Sequence, residues 1–549
     1  MKRDASSILL PVLLLAGCTV GPDFHTPAAP DATGWTREPV PAATASAAGP
    51  GGGIQTFATA EHAPRAWWTQ FGSVELNTLV DQALSASPTL DSARAKLVEA
   101  RENYNAQAGA TNFPAVDLKL NGARQKIDLA AFGITQVPNP PPFTLYNASV
   151  SVSYVFDLFG ANRRALEATL AHVDYQAYEM DAARLTVAAN VVSTAIRRAS
   201  LQRQIEITRQ LADTQARQLT IMQARLAAGG VAEIDVRSQR TLVAQTRASL
   251  PPLETQRDAA EHQLSILLGV APSSTQFAAP LDTLSLDTLH LPDTVALTVP
   301  STLARERPDI RAAEALLHEA SANVGVATAN LFPQISLSAS AGSQRTRIED
   351  VVSGLNIWNV GLGLTQPLFH GGELRAKKRA SQAAYEAAFA DYRQTVLQAL
   401  QQVADSLQAL QNDAVELQAR DDAARDAQAN AAIAQTRYKA GGVSEFALID
   451  TQRQALQNDA IELQARDDAA RDAQANAAIA QTRHKAGGVS EFALIDTQRQ
   501  ALQTMLDRTR AHADRLTDTA ALYQSLGGAT LPGAEPPAAS DQTAAPPAR

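Results

Sequence analysis

Nine histidines, one cysteine and 56 acidic side chains are the residues with which this chain could do chemistry, and their spacing offers little of it. No His-Glu-x-x-His is present for metal-assisted hydrolysis, no Gly-x-Ser-x-Gly for acyl transfer, and no Gly-Lys-Ser or Gly-Lys-Thr phosphate loop. The nearest approach to a carboxylate pair is Asp421-Asp422, repeated at Asp467-Asp468. Neighbouring residues on a helix diverge by about 100°, so these read as a charged face and not as a general acid and base. Cys18 is the single thiol, which excludes a disulfide within the chain. Neither a catalytic residue, a metal ligand nor a cofactor is expected.

The N-terminus gives that thiol a context. Lys2 and Arg3 precede an apolar run from Ile8 to Leu15, long enough for a secretory signal but short of the roughly 20 residues that span a bilayer. Leu15-Ala16-Gly17-Cys18 resembles a bacterial lipobox, in which the Cys becomes the lipidated first residue of the mature chain. A buried free thiol is the alternative, and it fits poorly beside a cleavage-type sequence. Several acyl chains on one Cys anchor stably where one would be marginal. Thr19, and not Asp, follows Cys18, which by resemblance to lipoprotein sorting favours the outer membrane.

The elements that would position any site are mostly helical. Hydrophobic residues make up 45% of the chain but aromatics only 5%, and the Ala, Leu and Val that dominate suit long helices better than a thick aromatic core. A net charge of -9 with both signs interspersed offers no basic stripe for nucleic acid. A stretch rich in Pro, Ala, Gly and Thr from about 26 to 66 reads as an extended linker, and 528–549 as a disordered tail. The expected order is therefore signal peptide 1–17, lipidated linker 18–66, a first structural repeat 67–299, a second repeat 300–527, and the tail.

The two repeats share a grammar. In each, a proline opens a helical stretch that a Phe-Pro closes: Pro88 to Phe113-Pro114, and Pro308 to Phe332-Pro333. Period-2 alternation follows, with Val116, Leu118 and Leu120 against Asp117, Lys119 and Asn121, and Ile335, Leu337 and Ala339 against Ser336, Ser338 and Ser340. It returns at Tyr146 to Phe156 and at Trp358 to Leu364. A small half-buried sheet is one reading. Apolar-out, polar-in alternation over about nine residues, with aromatics near strand ends, suits a transmembrane barrel better. The smallest such barrels have about eight strands, so four could close only with further copies of the chain. Proline-free runs from Arg163 to Ala228 and from Glu373 to Ala440 predict helices on the order of 100 Å long, at about 1.5 Å per residue, packed in close coiled-coil-like pairs.

Six segments, in order, carry a family resemblance: Cys18-Thr19-Val20-Gly21-Pro22-Asp23-Phe24, Trp67-Trp68, Phe156-Asp157-Leu158-Phe159-Gly160, Glu306-Arg307-Pro308-Asp309-Ile310-Arg311-Ala312-Ala313-Glu314, Gln366-Pro367-Leu368-Phe369-His370-Gly371-Gly372, and Leu522-Tyr523-Gln524-Ser525-Leu526-Gly527-Gly528. Together they resemble TolC-type outer-membrane efflux channels, in the NodT/OprM-like lipoprotein branch. The resemblance implies a mainly α protein with a membrane β part: a homotrimer whose protomers each give four strands to a twelve-stranded barrel, continued by a long α-helical barrel into the periplasm. It implies a passive export duct for drugs or toxic small molecules, fed by an inner-membrane pump through a periplasmic adaptor and seated in outer-membrane lipid. By the same resemblance Gly229, Gly230 and Val231, and Gly441, Gly442 and Val443, look like the hairpin tips that meet the adaptor. An ordinary glycine C-cap is the plainer reading of both. A lipid-anchored coiled-coil scaffold or adhesin is the alternative function, and it leaves the alternating strands unexplained.

One feature breaks the symmetry of the halves. Gln411 to Leu456 is repeated at Gln457 to Leu502, a 46-residue unit differing only at Val415/Ile461 and Tyr438/His484. Phe159 to Gly229 is 70 residues and Gly229 to Gly269 is 40; Phe369 to Gly441 is 72 and Gly487 to Gly527 is 40. The first copy thus has the right descending leg and the second the right ascending leg, so the repeat reads as an insertion into an ordinary channel. A second helical hairpin with its own tip at Gly487, Gly488 and Val489, a looped-out copy, and an assembly error in the sequence are the three models, the last two preferred. The resemblance also implies a periplasmic gate of apolar and acidic rings, matched by Phe446, Asp450 and Arg453 in the first copy and Phe492, Asp496 and Arg499 in the second. A solvated helix face is the plainer reading of those carboxylates.

Overall fold

A computed structural model describes residues 19–29, 34–60, 64, 66–133, 135–274, 277, 279, 281–439 and 491–527. The first half contains β1 (Thr56–Thr59), α1 (Val74–Ala86), α2 (Pro88–Asn112), β2 (Ala115–Gln125), β3 (Phe143–Phe156), α3 (Ala161–Ala227), α4 (Glu233–Ala248) and α5 (Leu250–Leu267). The second contains β4 (Thr294–Leu297), α6 (Pro300–Glu306), α7 (Pro308–Ala329), β5 (Gln334–Arg345), β6 (Ile357–Thr365), α8 (Glu373–Lys439) and α9 (Glu491–Ser525). Helices α2 and α7 each begin on a proline, where a missing N–H is harmless, with Asp91 and Asp309 in the first turn to favour the helix N-terminus.

Four strands form one antiparallel sheet in the order β2-β3-β5-β6. Its helix-side end lies where α2 and α7 enter it and where α3 and α8 leave it. The latter two run for 67 residues each, on the order of 100 Å. Helix α3 packs against α7, α9, α2 and α5, and α9 against α8. Small side chains permit that closeness: Ala188, Ala189, Ala195 and Ala199 lie buried on α3 beside Val191, Val192 and Ile196. No helix among the described residues is long and apolar enough to cross a membrane.

The principal hydrophobic core sits at a waist midway down the helices. There Trp67 stacks on Tyr523 with ring centroids 5.6 Å apart, and Phe71 meets Trp67 edge-on at 6.2 Å. Arg307 joins the start of α7 to the end of α9: its Nη1 donates to the Ser525 carbonyl at 2.7 Å and its Nε pairs with Asp309 at 2.8 Å. The first hairpin's return leg is broken between α4 and α5. Pro251 and Pro252 have no N–H for the carbonyls of Arg247 and Ala248, so the α-helical ladder is interrupted there.

The stretch expected as an extended linker is only partly one. Its β1 pairs in parallel with β4, from the connector between the repeats, and the residues before it lie along α8 and α9 as a strap. Gly- and Thr-rich composition suits a spacer, but it equally supplies the tight turns and bare carbonyls that such a strap uses.

Candidate functional site

The sheet separates two surfaces. On one, Val116, Leu118 and Leu120 line up through Val152, Val150 and Ala148 of β3 with Ala339, Ala341 and Ser343 of β5. Trp358, Val360, Leu362 and Leu364 continue that surface on β6, and all four are exposed. In water so large an apolar face would be an aggregation hazard; against acyl chains it is what a membrane strand presents. The opposite surface is lined by Ser149, Ser151, Ser153, Ser336, Ser338 and Ser340 with Asn359, Gly361 and Gly363. Asp117 and Lys119 are the only charged strand residues on it. Strands β2 and β6 are the sheet's edges and leave a row of backbone groups unpaired on their outer sides. At the helix-side end stand Phe113, Phe156 and Phe369, all exposed, and Phe159 stacks on Phe332 at 4.8 Å.

The first tip is a compact C-cap. Gly229 takes a left-handed φ of 74°, and the Gly230 N–H returns to the Arg225 carbonyl at 2.8 Å, closing α3. Val231 packs with Met222 and Val236, stapling α3 to α4. Gly229 and Gly230 are exposed, and a side chain added at Gly229 would meet nothing within 4 Å. Asp235 accepts from the Ala232 N–H at 3.3 Å, and Glu233 pairs with Arg237, so α4 starts with acids at its positive end. The tip is thus an open, rigid turn.

Of the gate residues, Asp496 and Arg499 lie on α9 and pair with each other at 3.1 Å, each side chain roughly a quarter exposed. Phe492 lies on the same helix. Cys18, Gly441, Gly442, Val443, Phe446, Asp450, Arg453, Gly487, Gly488 and Val489 lie outside the described residues.

Sequence reasoning missed a polar site at the waist. Arg515 of α9 is fully buried, and its guanidinium donates to the carbonyls of Gly51 at 2.9 Å and Gly53 at 2.8 Å and to the Thr44 hydroxyl at 2.9 Å. One turn back, His512 lies under Gly51, where a Cβ would stand 1.9 Å from the imidazole, so only glycine fits. The Gly49 N–H donates to Asp421 at 3.0 Å. Asp421 is 1% exposed while Asp422 next to it is open, so the pair read as a charged face is half inside. Burial pulls the His512 imidazole down to about 4, with Arg508 and Arg515 adding to the effect against Asp287. Burial also lowers Arg515 to about 10. Asp413 on α8 is pushed up to about 7, by burial first and then by the carboxylates of Asp518, Asp514 and Glu416. The signal was available: His512, Leu516, Thr519 and Tyr523 make an i, i+4, i+7, i+11 stripe that Arg515 joins.

A family model described as outer membrane efflux protein matches residues 79–270 and 299–475. This chain belongs to the outer membrane efflux protein family. It is 32% identical over 391 residues to the pyoverdine export outer membrane protein OpmQ of Pseudomonas aeruginosa, covering 71% of this chain and 81% of that protein. The toluene efflux pump outer membrane protein TtgI of Pseudomonas putida is 30% identical over 451 residues, 80% of this chain and 90% of its own length. Among solved structures, the outer-membrane channel OprN superposes with a TM-score of 0.71 at 26% identity, covering 93% of this chain and 99% of that one. The open-state MtrE channel of Neisseria gonorrhoeae shares the fold, with a TM-score of 0.70 at 22% identity, 94% of this chain and 99% of its own. The protein is an outer-membrane efflux channel, a conduit and not an enzyme, and the scaffold or adhesin reading is not favoured.

Proposed function

We propose that three copies of this chain form one passive duct that carries drugs or toxic small molecules out of the cell. The observation that carries this reading is a four-stranded sheet with an apolar outer face, a hydroxyl-rich inner face and two open edges, continuous with the long helices α3 and α8. In lipid both edges must be paired, and a twelve-stranded barrel of three protomers satisfies them. The helices continue the wall as an α-barrel into the periplasm. Residues 67–299 and 300–527 act as two structural repeats behind the lipidated segment 18–66. A periplasmic adaptor docks on the tips at Gly229-Gly230-Val231 and its counterpart in the second hairpin, and an inner-membrane pump supplies the energy. Relatives named for pyoverdine, toluene and antibiotic export support a small-molecule cargo.

Lipidation of Cys18 fits the course of the segment after it. The Val20 N–H donates to the Phe159 carbonyl at 3.2 Å, Asp23 pairs with Arg164 at 2.6 Å, and Phe24 stacks on His318 at 4.4 Å. An acyl chain on Cys18 therefore starts near the phenylalanines at the helix-side end of the sheet, the level expected for the inner leaflet.

Pairing across the hairpins bears on the duplication. Arg209 and Glu254 pair at 2.6 Å, centred in sequence on Val231-Ala232 at the first tip. Arg420 and Asp507 approach to 3.7 Å, and with one 46-residue copy removed that pair would be centred on Ala440-Gly441. The helices thus keep the register of an ordinary hairpin, which supports a surplus copy carried outside the duct. One gate set then serves each protomer, and Asp496 with Arg499 on α9 is the set we assign, Asp450 with Arg453 being surplus.

The test is complementation of drug efflux in cells lacking their own channel but carrying a cognate pump and adaptor, using the full chain and a version without residues 457–502. Both forms should reach the outer membrane as heat-modifiable trimers, conduct in planar bilayers and restore efflux. Correct trimers without conductance would overturn the duct; restoration by the shortened form alone would make the duplication damage.

A further inference from the structure

The membrane-facing surface of the sheet is not uniformly apolar. At its end away from the helices, Arg345 of β5 stands opposite Tyr146 of β3, which stands opposite Gly122 of β2. The Tyr146 ring lies over Gly122, its Cδ1 only 3.2 Å from where a Cβ would be. Arg124, two residues beyond Gly122, is exposed on the same face. Neither guanidinium has a carboxylate partner among the described residues. Because one strand separates β2 from β5 and Arg124 lies two residues further along, the two arginine Cα positions stand roughly 12 Å apart across the sheet.

The other end of the same surface carries Val116, Phe156, Ile335 and Leu364 and no cation. That asymmetry needs a chemical reason. A guanidinium among acyl chains is costly at mid-bilayer and nearly neutral near an interface, so these arginines mark the headgroup level of the distal leaflet. A planar fork of N–H donors is matched to phosphate, which it can bind bidentately, and a single cation on a flexible stem would not do the same.

We propose that Arg124 and Arg345, with Tyr146 between them, bind the phosphates of the phosphorylated glycolipid that makes up the outer leaflet of the outer membrane. The proposal rests on the barrel reading above, which turns this face toward lipid. The site makes the lipid a stabilising ligand of the trimer and fixes how far the barrel stands out of the membrane.

The experiment uses full-length trimers, delipidated in mild detergent: wild type, the double variant Arg124→Gln/Arg345→Gln, and Lys119→Gln on the inner face as control. Thermal dissociation of the trimer is followed with added lipopolysaccharide, with dephosphorylated lipopolysaccharide, and with inorganic phosphate. Intact lipopolysaccharide should raise the midpoint of wild type and of Lys119→Gln by several degrees more than the dephosphorylated form does, and the double variant should lose that difference. Equal shifts from both lipopolysaccharides would overturn the proposal, as would the same shift from inorganic phosphate. A double variant that dissociates early without any lipid would overturn it too, assigning the arginines to a contact between protomers. Single-channel conductance in the same preparations separates the failures: wild-type channels without a lipid effect sink this proposal alone, whereas no channels at all removes the barrel reading with it.

Discussion

The two helical hairpins of this channel share an architecture and differ in chemistry. In each, a buried arginine at the waist holds a passing connector by its backbone carbonyls. In the first, Arg198 donates to the Leu281 carbonyl at 2.7 Å and is neutralised within its own hairpin by Glu261 at 2.9 Å. In the second, Arg515 grips the strap by two carbonyls and a hydroxyl, and the carboxyl group whose field it feels, Asp413, lies on the facing helix near the neutral range. The first hairpin is interrupted by Pro251-Pro252, while α9 runs without a proline from Glu491 to Ser525. The first hairpin's return leg is therefore electrostatically closed and mechanically broken, whereas α9 is uninterrupted but held by unbalanced charge. Duplicated architecture does not carry duplicated polar chemistry with it.

The largest test of that contrast removes each arginine. Arg515→Met takes the donor from the part-buried Gly51 and Gly53 carbonyls and one of two donors from the buried Thr44 hydroxyl, and should cost about 3 kcal/mol, with proteolysis opening first between residues 44 and 55. Arg198→Met leaves Glu261, which water already reaches, and should cost about half as much. Equal losses in thermal denaturation would show that the two waists are held alike. Next in size is a proline exchange: Thr509→Pro, on α9 level with the break in the first hairpin, should cost about 3 kcal/mol. Replacing Pro251 and Pro252 by Ala should raise helicity and stability. If the proline in α9 is harmless, its continuity carries nothing.

The smallest effect appears only on titration. The His512 imidazole, ordinarily near 6.5, sits near 4 when folded, so on acidification the unfolded chain takes up a proton that the folded chain refuses. Stability should fall as pH drops from 6.5 towards 4, by on the order of 2 kcal/mol at pH 5, and His512→Gln should abolish that loss. Asp413 works in the opposite sense: raised from 3.8 to about 7, it favours the fold below pH 4 and loses that contribution as pH climbs to 7. Asp413→Asn should be more stable than wild type above pH 7 and no different near pH 4.

Much of the architecture was legible because it is written in local signals. Strand alternation at Val116 or Ile335, the Phe-Pro stops and the absence of proline from 163 to 228 each speak about their own neighbourhood. The waist stayed hidden for the converse reason. Gly49 meets Asp421 and Gly51 meets Arg515 across hundreds of residues, and nothing in a Gly- and Thr-rich stretch distinguishes a spacer from a strap. The Pro251-Pro252 break is visible in the sequence as two successive residues without an N–H. For Asp496, the sequence showed an acid three residues before Arg499, and the pairing follows from helix geometry alone.

The strap also orders events in time. Its anchor, Arg515, lies 464 residues after Gly51, so the loop it closes is among the longest the chain makes. Contacts of such separation form late, because the intervening chain must first be collapsed for their closure entropy to be small. During export the segment after Cys18 enters the periplasm first and can close this loop only when α9 has followed. A chain cut short before α9 keeps the pairing of β1 with β4 and the contact of Gly49 with Asp421 but loses the grip of Arg515 on the strap.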